Sequence, residues 1–378
     1  MAIVTRYFST TGAGAADGTT WADRAALYSA GNWSTVITGF NFGGADSLNC
    51  LIGTGSYSCS QELASGTFSV AAPTSANRLF LRNCDSSGNL VVPDASFISD
   101  AGAIDTTAMP FINYTAAGRC INTTGIVLYG LRIESAQNDG VVAQVLSVEQ
   151  CYIVSTGSGS SASAAFRVYN IKNSHLYCNT SNYAAVVNCD ENNTLSVMNC
   201  RIQGITGTTS NRRGLSSNAF APSIYIANNT IFGMGGIGIS MTGASAGDMI
   251  ASNVINGTGS DGINISRSAT GTGVAAQVCN NIITNAGGWG VNQSSSVGML
   301  ASNNRLRNNT SGNFTGMGNY PSDIANETAA GTDADEYVDA AGFDFRIKNT
   351  SSIVGRRFGV SDQPATGGGT TRGYIIGG

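Results

Sequence analysis

Eight segments of the chain repeat one arrangement of apolar and polar positions: an aliphatic residue, two variable residues, a small or polar residue and, two positions on, another aliphatic. The fourth position is filled in turn by Leu131, Cys151, Ser174, Cys200, Asn229, Asn253, Asn281 and Asn304, at spacings of 20, 23, 26, 29, 24, 28 and 23 residues. Three residues earlier stand Leu128, Val148, Ile171, Val197, Ile226, Ile250, Val278 and Ala301, and two residues later stand Ile133, Ile153, Leu176, Ile202, Ile231, Ile255, Ile283 and Leu306. This register predicts a parallel β-solenoid in which each spacing is one coil. Stacked parallel strands lie about 4.8 Å apart, so equivalent positions of successive coils form continuous stacks inside a tube. Asn229, Asn253, Asn281 and Asn304 then form a ladder, each amide donating to one neighbour and accepting from the other. Apolar residues at helical spacing over ten or more residues are almost absent after residue 35, which argues against an α/β domain.

A further strand is predicted nine residues after the polar position, at Gly140-Val141, Gly238-Ile239, Gly262-Ile263 and Gly290-Val291, with glycine at a bend. Loops at 155–164 and 205–218 account for the variable coil length and project from one face, where binding usually resides. Near the N-terminus, Thr20 and Asp23 read as a capping box that starts a short helix, with Trp21, Ala25 and Tyr28 on one face and Gly31 as its stop. Such a helix would close the open end of the tube. The expected architecture is therefore all-β, a single-stranded right-handed parallel β-helix with a short N-terminal capping helix. Residues 1–45 form the opening strand and cap, 46–320 the β-helix and 321–378 a closing segment.

Composition sharpens this picture. Only 11% of the 378 residues are charged, against roughly 25% in ordinary globular domains, so Ser, Thr, Asn and Gly must cover the surface. A net charge of -4 offers no basic footprint, and nucleic acid is not an expected partner. No stretch approaches the ~18 apolar residues of a membrane span, and the first residues lack the apolar centre of a signal peptide. Synthesis in a cytoplasm without export and no membrane insertion are expected, and with them nine reduced cysteines. Cys151 and Cys200 share one interior column with Ser174 between them, and two coil steps of about 4.8 Å each exceed disulfide reach. No CxxC pair or Cys/His grouping occurs, and no cofactor is expected.

The opening Arg6-Tyr7-Phe8-Ser9-Thr10-Thr11-Gly12 and Asp17-Gly18-Thr19-Thr20-Trp21-Ala22 resemble the start of right-handed parallel β-helix proteins. Phe343 to Ile353, followed by Gly355, and Arg372 to Gly378 are similar to the closing segments of such helices. The combination resembles bacteriophage virion proteins such as tail spikes, fibres or head decorations. That resemblance implies a homotrimer located on the virion, held by other virion proteins and contacting host-surface glycan. No room is expected before the helix cap for the separate N-terminal virion-binding domain usual in tail spikes, so attachment is expected through another protein or through the capped end. Polysaccharide lyases and hydrolases use the same scaffold and supply the alternative.

Candidate chemistry is sparse. Arg346-Ile347-Lys348 repeats a string of polygalacturonase-like hydrolases, without that family's paired aspartates and Gly-His-Gly. His175, the single histidine, lies in the strand register and is expected to point outward. Glycosidases need two carboxyl groups about 5 to 9.5 Å apart. Asp139 and Asp261 share the offset of eight from their polar positions but lie coils apart, which leaves Asp190 and Glu191, adjacent in one turn and otherwise a solvated bend, as the acidic pair available to an enzyme. For glycan binding, Trp289 stands at the offset of eight, where Asp261 stands one coil earlier, and Arg212 and Arg213 sit in the 205–218 loop; packing and solubility are their alternative roles. Asp333, Asp335, Glu336 and Asp339 are either a solvated linker or a set of calcium ligands.

Overall fold

The computed structural model describes residues 2–27, 36–44, 46–91, 106–116, 118–136, 141–157, 162–180, 183–189, 195–205, 212–217, 224–242, 247–266, 274–294, 298–315, 323–324, 331–341 and 344–348. Contacts divide the chain near residue 186 into two compact units. Each winds as a parallel β-helix, so the fold class is the expected all-β right-handed solenoid. In the first unit the first sheet runs Ala25–Ala26, Ile3–Ser9, Ser47–Gly53, Leu79–Cys84, Ile126–Tyr129, Ser147–Glu149 and Asn170–Lys172. Its second sheet runs Gly55–Cys59, Pro110–Tyr114, Arg132–Ser135, Tyr152–Ser155 and His175–Cys178, and its third includes Leu63–Ala64, Ile121–Asn122, Val142–Ala143 and Ala165–Phe166.

The second unit repeats the plan. Its first sheet holds Leu195–Met198, Ile224–Ala227, Asp248–Ala251, Val274–Cys279, Gly298–Ser302 and Asp323–Ile324. The second sheet holds Arg201–Gln203, Thr230–Phe232, Val254–Asn256, Ile282–Thr284 and Arg305–Arg307, and the third Arg213–Ser217, Ile239–Met241, Ile263–Ile265, Trp289–Gln293 and Gly312–Thr315. An antiparallel pair, Tyr337–Asp339 with Asp344–Ile347, follows.

The eight-fold pattern proves to span a corner. Its first aliphatic column lies in the first sheet and its second in the second sheet, and every member of both is buried. The residue just before the polar position has left-handed φ: 67° at Gly130, 52° at Gln150 and 47° at Asn173 in the first unit. In the second unit it is 54° at Asn199, 56° at Asn228 and Ser252, 57° at Asn280 and 53° at Asn303. One left-handed residue between two extended ones turns the chain sharply, and Asn and Gly tolerate it best. A second such column follows the second-sheet strands at Gly233, Gly257, Asn285 and Asn308.

The asparagine ladder forms as expected and does more than link amides. Asn253 Oδ1 accepts from the Asn229 backbone N–H (3.0 Å) and Nδ2 (2.9 Å). Its own Nδ2 donates to Ile226 O and to Asn281 Oδ1, both at 3.0 Å. Asn281 repeats this with Asn304 and Ile250 O, and Asn229 Oδ1 caps the Cys200 N–H at 2.9 Å. Each side chain thus satisfies the N–H that the corner leaves without a strand partner. In the first unit Ser174 Oγ does the same for Cys151 N–H, at 3.1 Å.

The glycines nine residues on answer to close approach. A Cβ on Gly238 would lie 2.5 Å from Gly262 O and one on Gly262 2.7 Å from Gly290 O, so stacked backbones exclude any side chain there.

Two expectations are corrected. Thr20 and Asp23 make one bond of a capping box, Asp23 N–H to Thr20 Oγ1 at 3.1 Å, while the Asp23 carboxylate takes the Thr20 hydroxyl at 2.9 Å instead of the Thr20 backbone N–H. No helix follows over residues 20–27. Ala25–Ala26 instead pairs with Phe8 and Ser9, because the outer edge of the opening strand offers backbone groups that a strand satisfies. Tyr28 and Gly31 lie outside the described residues. The 205–218 segment is not a loop throughout, since Arg213–Ser217 is a third-sheet strand.

All nine cysteines are free, eight of them buried. Burial pushes the Cys84 and Cys151 thiols up to about 12 and those of Cys50, Cys120 and Cys178 well above the ordinary range. Thiolate is the reactive form, so at mild alkaline pH the folded chain should alkylate at the partly exposed Cys279 first; mass spectrometry after unfolding without reductant should find nine modified sites. Asn253→Ala would remove four buried hydrogen bonds and leave the Asn229 backbone N–H without its acceptor, and an unsatisfied buried group costs about 1–3 kcal/mol beyond the bonds themselves. Urea unfolding should therefore show a loss of about 3 kcal/mol or more, whereas Asn303→Ala, at the exposed left-handed position beside the ladder, should lose only about 1–2 kcal/mol.

Candidate functional site

The outer face of the third sheet in the second unit brings together residues that are up to 102 apart in sequence, Arg213 to Thr315. Backbone bonds Gly214 N–H to Ile237 O, Gly238 N–H to Asp261 O and Gly262 N–H to Trp289 O place Arg213, Ile237, Asp261 and Trp289 in one row, and Trp289 pairs with Gly312. Three residues on, a polar row runs Ser216, Ser240, Asn264, Asn292 and Thr315. At about 4.8 Å per coil, Arg213 and Trp289 stand roughly 14 Å apart along the axis.

Asp261 organises this strip. It is buried, and its Oδ1 accepts the Trp289 backbone N–H at 2.9 Å. Its Oδ2 accepts Asn264 Nδ2 at 2.8 Å and Asn292 Nδ2 at 2.7 Å. With both amide nitrogens fixed, the two Oδ1 atoms are oriented away from the carboxylate. The Trp289 ring is half-buried and lies against Gly312, where an added Cβ would come 2.6 Å from the ring. Arg213 gives one guanidinium N–H to Ser216 Oγ at 2.9 Å. A half-open aromatic face, two oriented amides and a cation in adjoining rows suit a polyhydroxylated ligand, whose C–H faces stack on rings while its hydroxyls take hydrogen bonds.

The other sequence candidates fall elsewhere. Asp139, Asp190 and Glu191 lie outside the described residues. Arg212, expected in a solvent loop, is buried, because the chain has already turned into the third sheet at Arg213. His175 is on the outer face of the second sheet, as its register required, but is only 3% exposed. The Tyr152 ring sits edge-on to it at 5.1 Å and Tyr177 lies at 6.3 Å. These outward second-sheet positions, one and three after the polar residue, also hold Arg132 and Glu134; their aromatic character was readable from the columns and was not singled out.

Part of the acidic cluster lies in a strap across the second sheet of the second unit. A short helix, Asp333–Glu336, starts at Thr332, and the chain continues into Tyr337–Asp339. Asp333 Oδ2 accepts from Asn256 Nδ2 at 3.1 Å and Asn285 Nδ2 at 2.6 Å. Asp335 Oδ2 takes the Thr332 N–H and hydroxyl and faces Arg307 Nη2 at 3.4 Å. Asp339 lies beyond, exposed in the strand; among the described residues no group of three or more His, Cys, Asp or Glu side chains could hold a metal ion. Beneath them Tyr337 and Phe345 pack on Phe232, Val254 and Ile282.

Hydrogen bonds from the Thr332 backbone and hydroxyl, and then Arg307, hold the Asp335 carboxyl below its ordinary value. A carboxylate with a depressed folded pKa contributes stability above the unfolded value of about 3.9 and loses it as pH falls through the folded value. Amide exchange over residues 333–347 should therefore stay slow on acidification to about pH 4 and quicken below it, and Asp335→Asn should remove that acid step.

No protein-family model and no curated protein sequence matches the chain. Among solved structures it is similar to pectate lyase Pel9A, at 12% identity and a TM-score of 0.46 over 93% of this chain and 90% of that one. It is also similar to the A-module of the Azotobacter vinelandii mannuronan C-5 epimerase AlgE4, at 12% identity and a TM-score of 0.38 over 86% of this chain and 96% of that one.

Proposed function

We propose that this chain is a phage virion appendage, of the tail spike or fibre kind, that binds host-surface glycan along the third-sheet strip. The observation that carries the reading is the set Trp289, Asn264 and Asn292, aligned by Asp261. Its virion setting, its attachment through other virion proteins and its trimeric state rest on the resemblance of its first and last segments to phage β-helix proteins. Cyclic repetition would multiply weak glycan contacts through avidity.

Binding is favoured over cutting because Asp261, the carboxylate of the strip, has both oxygens committed to structural donors. Glycoside hydrolysis requires a proton donor opposed to a second carboxyl group at close range. Incubation with host envelope polysaccharide should leave its chain length unchanged, while particles lacking the protein adsorb poorly. Trp289→Ala should weaken binding about tenfold, the value of one stacking contact of about 1.4 kcal/mol, with Arg213→Ala weakening it less. Depolymerisation that disappears in Asp190→Asn, Glu191→Gln protein would establish a polysaccharide depolymerase instead. Normal adsorption with fragile heads would establish a capsid decoration.

A further inference from the structure

The second sheet of the first unit carries a second patch, distinct in chemistry from the strip. Where the coils nearer the N-terminus present exposed Ser56, Ser58 and Asn113 on its outer face, the next positions of the same two columns hold Phe111, Arg132, Tyr152 and His175, and Glu134, Val154 and Tyr177. The Arg132 guanidinium lies 4.3 Å from the Phe111 ring centre and 5.8 Å from that of Tyr152. Tyr152 leans on His175, which forms the floor. Phe111, Tyr152 and Tyr177 remain half-buried, and the Arg132 and Glu134 side chains are 31% and 25% exposed. Three partly open rings thus gather on one face across neighbouring coils.

Charge decides what these rings would take. Glu134 Oε1 receives Arg132 Nε at 2.9 Å and Nη2 at 2.6 Å, and Arg132 Nη1 goes to Thr106 Oγ1 at 3.1 Å. The one cation and one anion of the patch thus neutralise each other, which disfavours an acidic polymer that would have to displace Glu134. Glu134 Oε2 accepts no hydrogen bond from the described residues, and Tyr177 is oriented by its O–H bond to Asn179 Oδ1 at 2.9 Å. We propose that this face is a binding site for an uncharged glycan lying across the strands, its sugar faces on Tyr152, Tyr177 and Phe111 and a hydroxyl donating to Glu134. One coil rises about 4.8 Å, so a polymer running along the axis meets a ring or a hydrogen-bonding group at each coil.

Native gels containing hydroxyethyl cellulose, galactomannan or dextran, with alginate as the acidic counterpart, test this. At least one neutral polymer should retard the full chain in a salt-independent manner, as screening predicts for an uncharged ligand. Tyr152→Ala and Tyr177→Ala should each weaken that retardation about tenfold, and Tyr177→Phe should preserve most of it. Should Tyr152→Ala lower the melting temperature, Glu134→Gln, on a part-exposed side chain, supplies the second reading through a several-fold loss. Normal retardation in Tyr177→Ala and Glu134→Gln protein with unchanged melting would overturn the proposal and make the rings packing alone. Retardation by alginate only, abolished by salt, would overturn it too, as would loss of all neutral-polymer binding in Trp289→Ala, which would assign that binding to the third-sheet strip.

Discussion

The winding depends on one constraint, a sharp bend in a buried backbone that must leave no hydrogen-bonding group unsatisfied. Between the first and second sheets the chain turns through one left-handed residue and one inward-facing residue. The inward residue's N–H points to where the next coil can meet it only with a side chain. From Cys200 to Asn281 that partner is an asparagine Oδ1 at 2.9 to 3.0 Å. An unpaired buried N–H costs about 1–3 kcal/mol, repeated at every coil, so the amide column holds the corner rather than merely filling it. A side chain with one acceptor and two donors suits this task, because the acceptor caps the neighbouring coil's backbone while the donors reach another carbonyl and the next amide. Where the column changes to Ser174 the hydroxyl still caps Cys151 and passes its own proton to Lys172 O at 2.7 Å.

The same repetition explains what the amino-acid pattern could reveal. Inward columns recur with fixed offsets and are aliphatic throughout, so Ile231, Ile255 and Ile283 were assignable to the core without a structure. The corner itself was equally written in the chain, as Asn, Gly or a tolerated Gln or Ser before each polar residue, yet it reads as ordinary polar sequence unless φ is considered. Positions without a column were less legible. Thr20 and Asp23 have one local bond of a helix start, and only the pairing demand of a sheet edge turns that segment into a strand. Arg212 reads as a loop residue because the length of the insertion, not its end, dominates the pattern.

Outward rows obey the same geometry but carry no common chemistry. Asp261 and Trp289 occupy one row in consecutive coils, and their contact, the Trp289 N–H on Asp261 Oδ1, arises because the backbone of one coil lies above the side chain of the last. Asn264 and Asn292 reach the same carboxylate from the neighbouring row. Sharing an offset was therefore the useful signal. The offset of eight puts Trp289 one coil after Asp261, whereas Asp139, at the same offset, lies outside the described residues.

A solenoid lets such rows change without disturbing the core, since inward and outward residues alternate along each strand. In the second unit the outer second-sheet face has exchanged polar residues for Phe232, Val254 and Ile282, and a strap of the chain's own acids and aromatics covers it. The buried guanidinium of Arg307 faces Asp335 of that cover at 3.4 Å. In the first unit the corresponding positions hold rings around a paired Arg132 and Glu134. The same second-sheet plan thus carries a face covered by the chain's own strap in one unit and a part-exposed aromatic face in the other, with different side chains one and three residues past each corner.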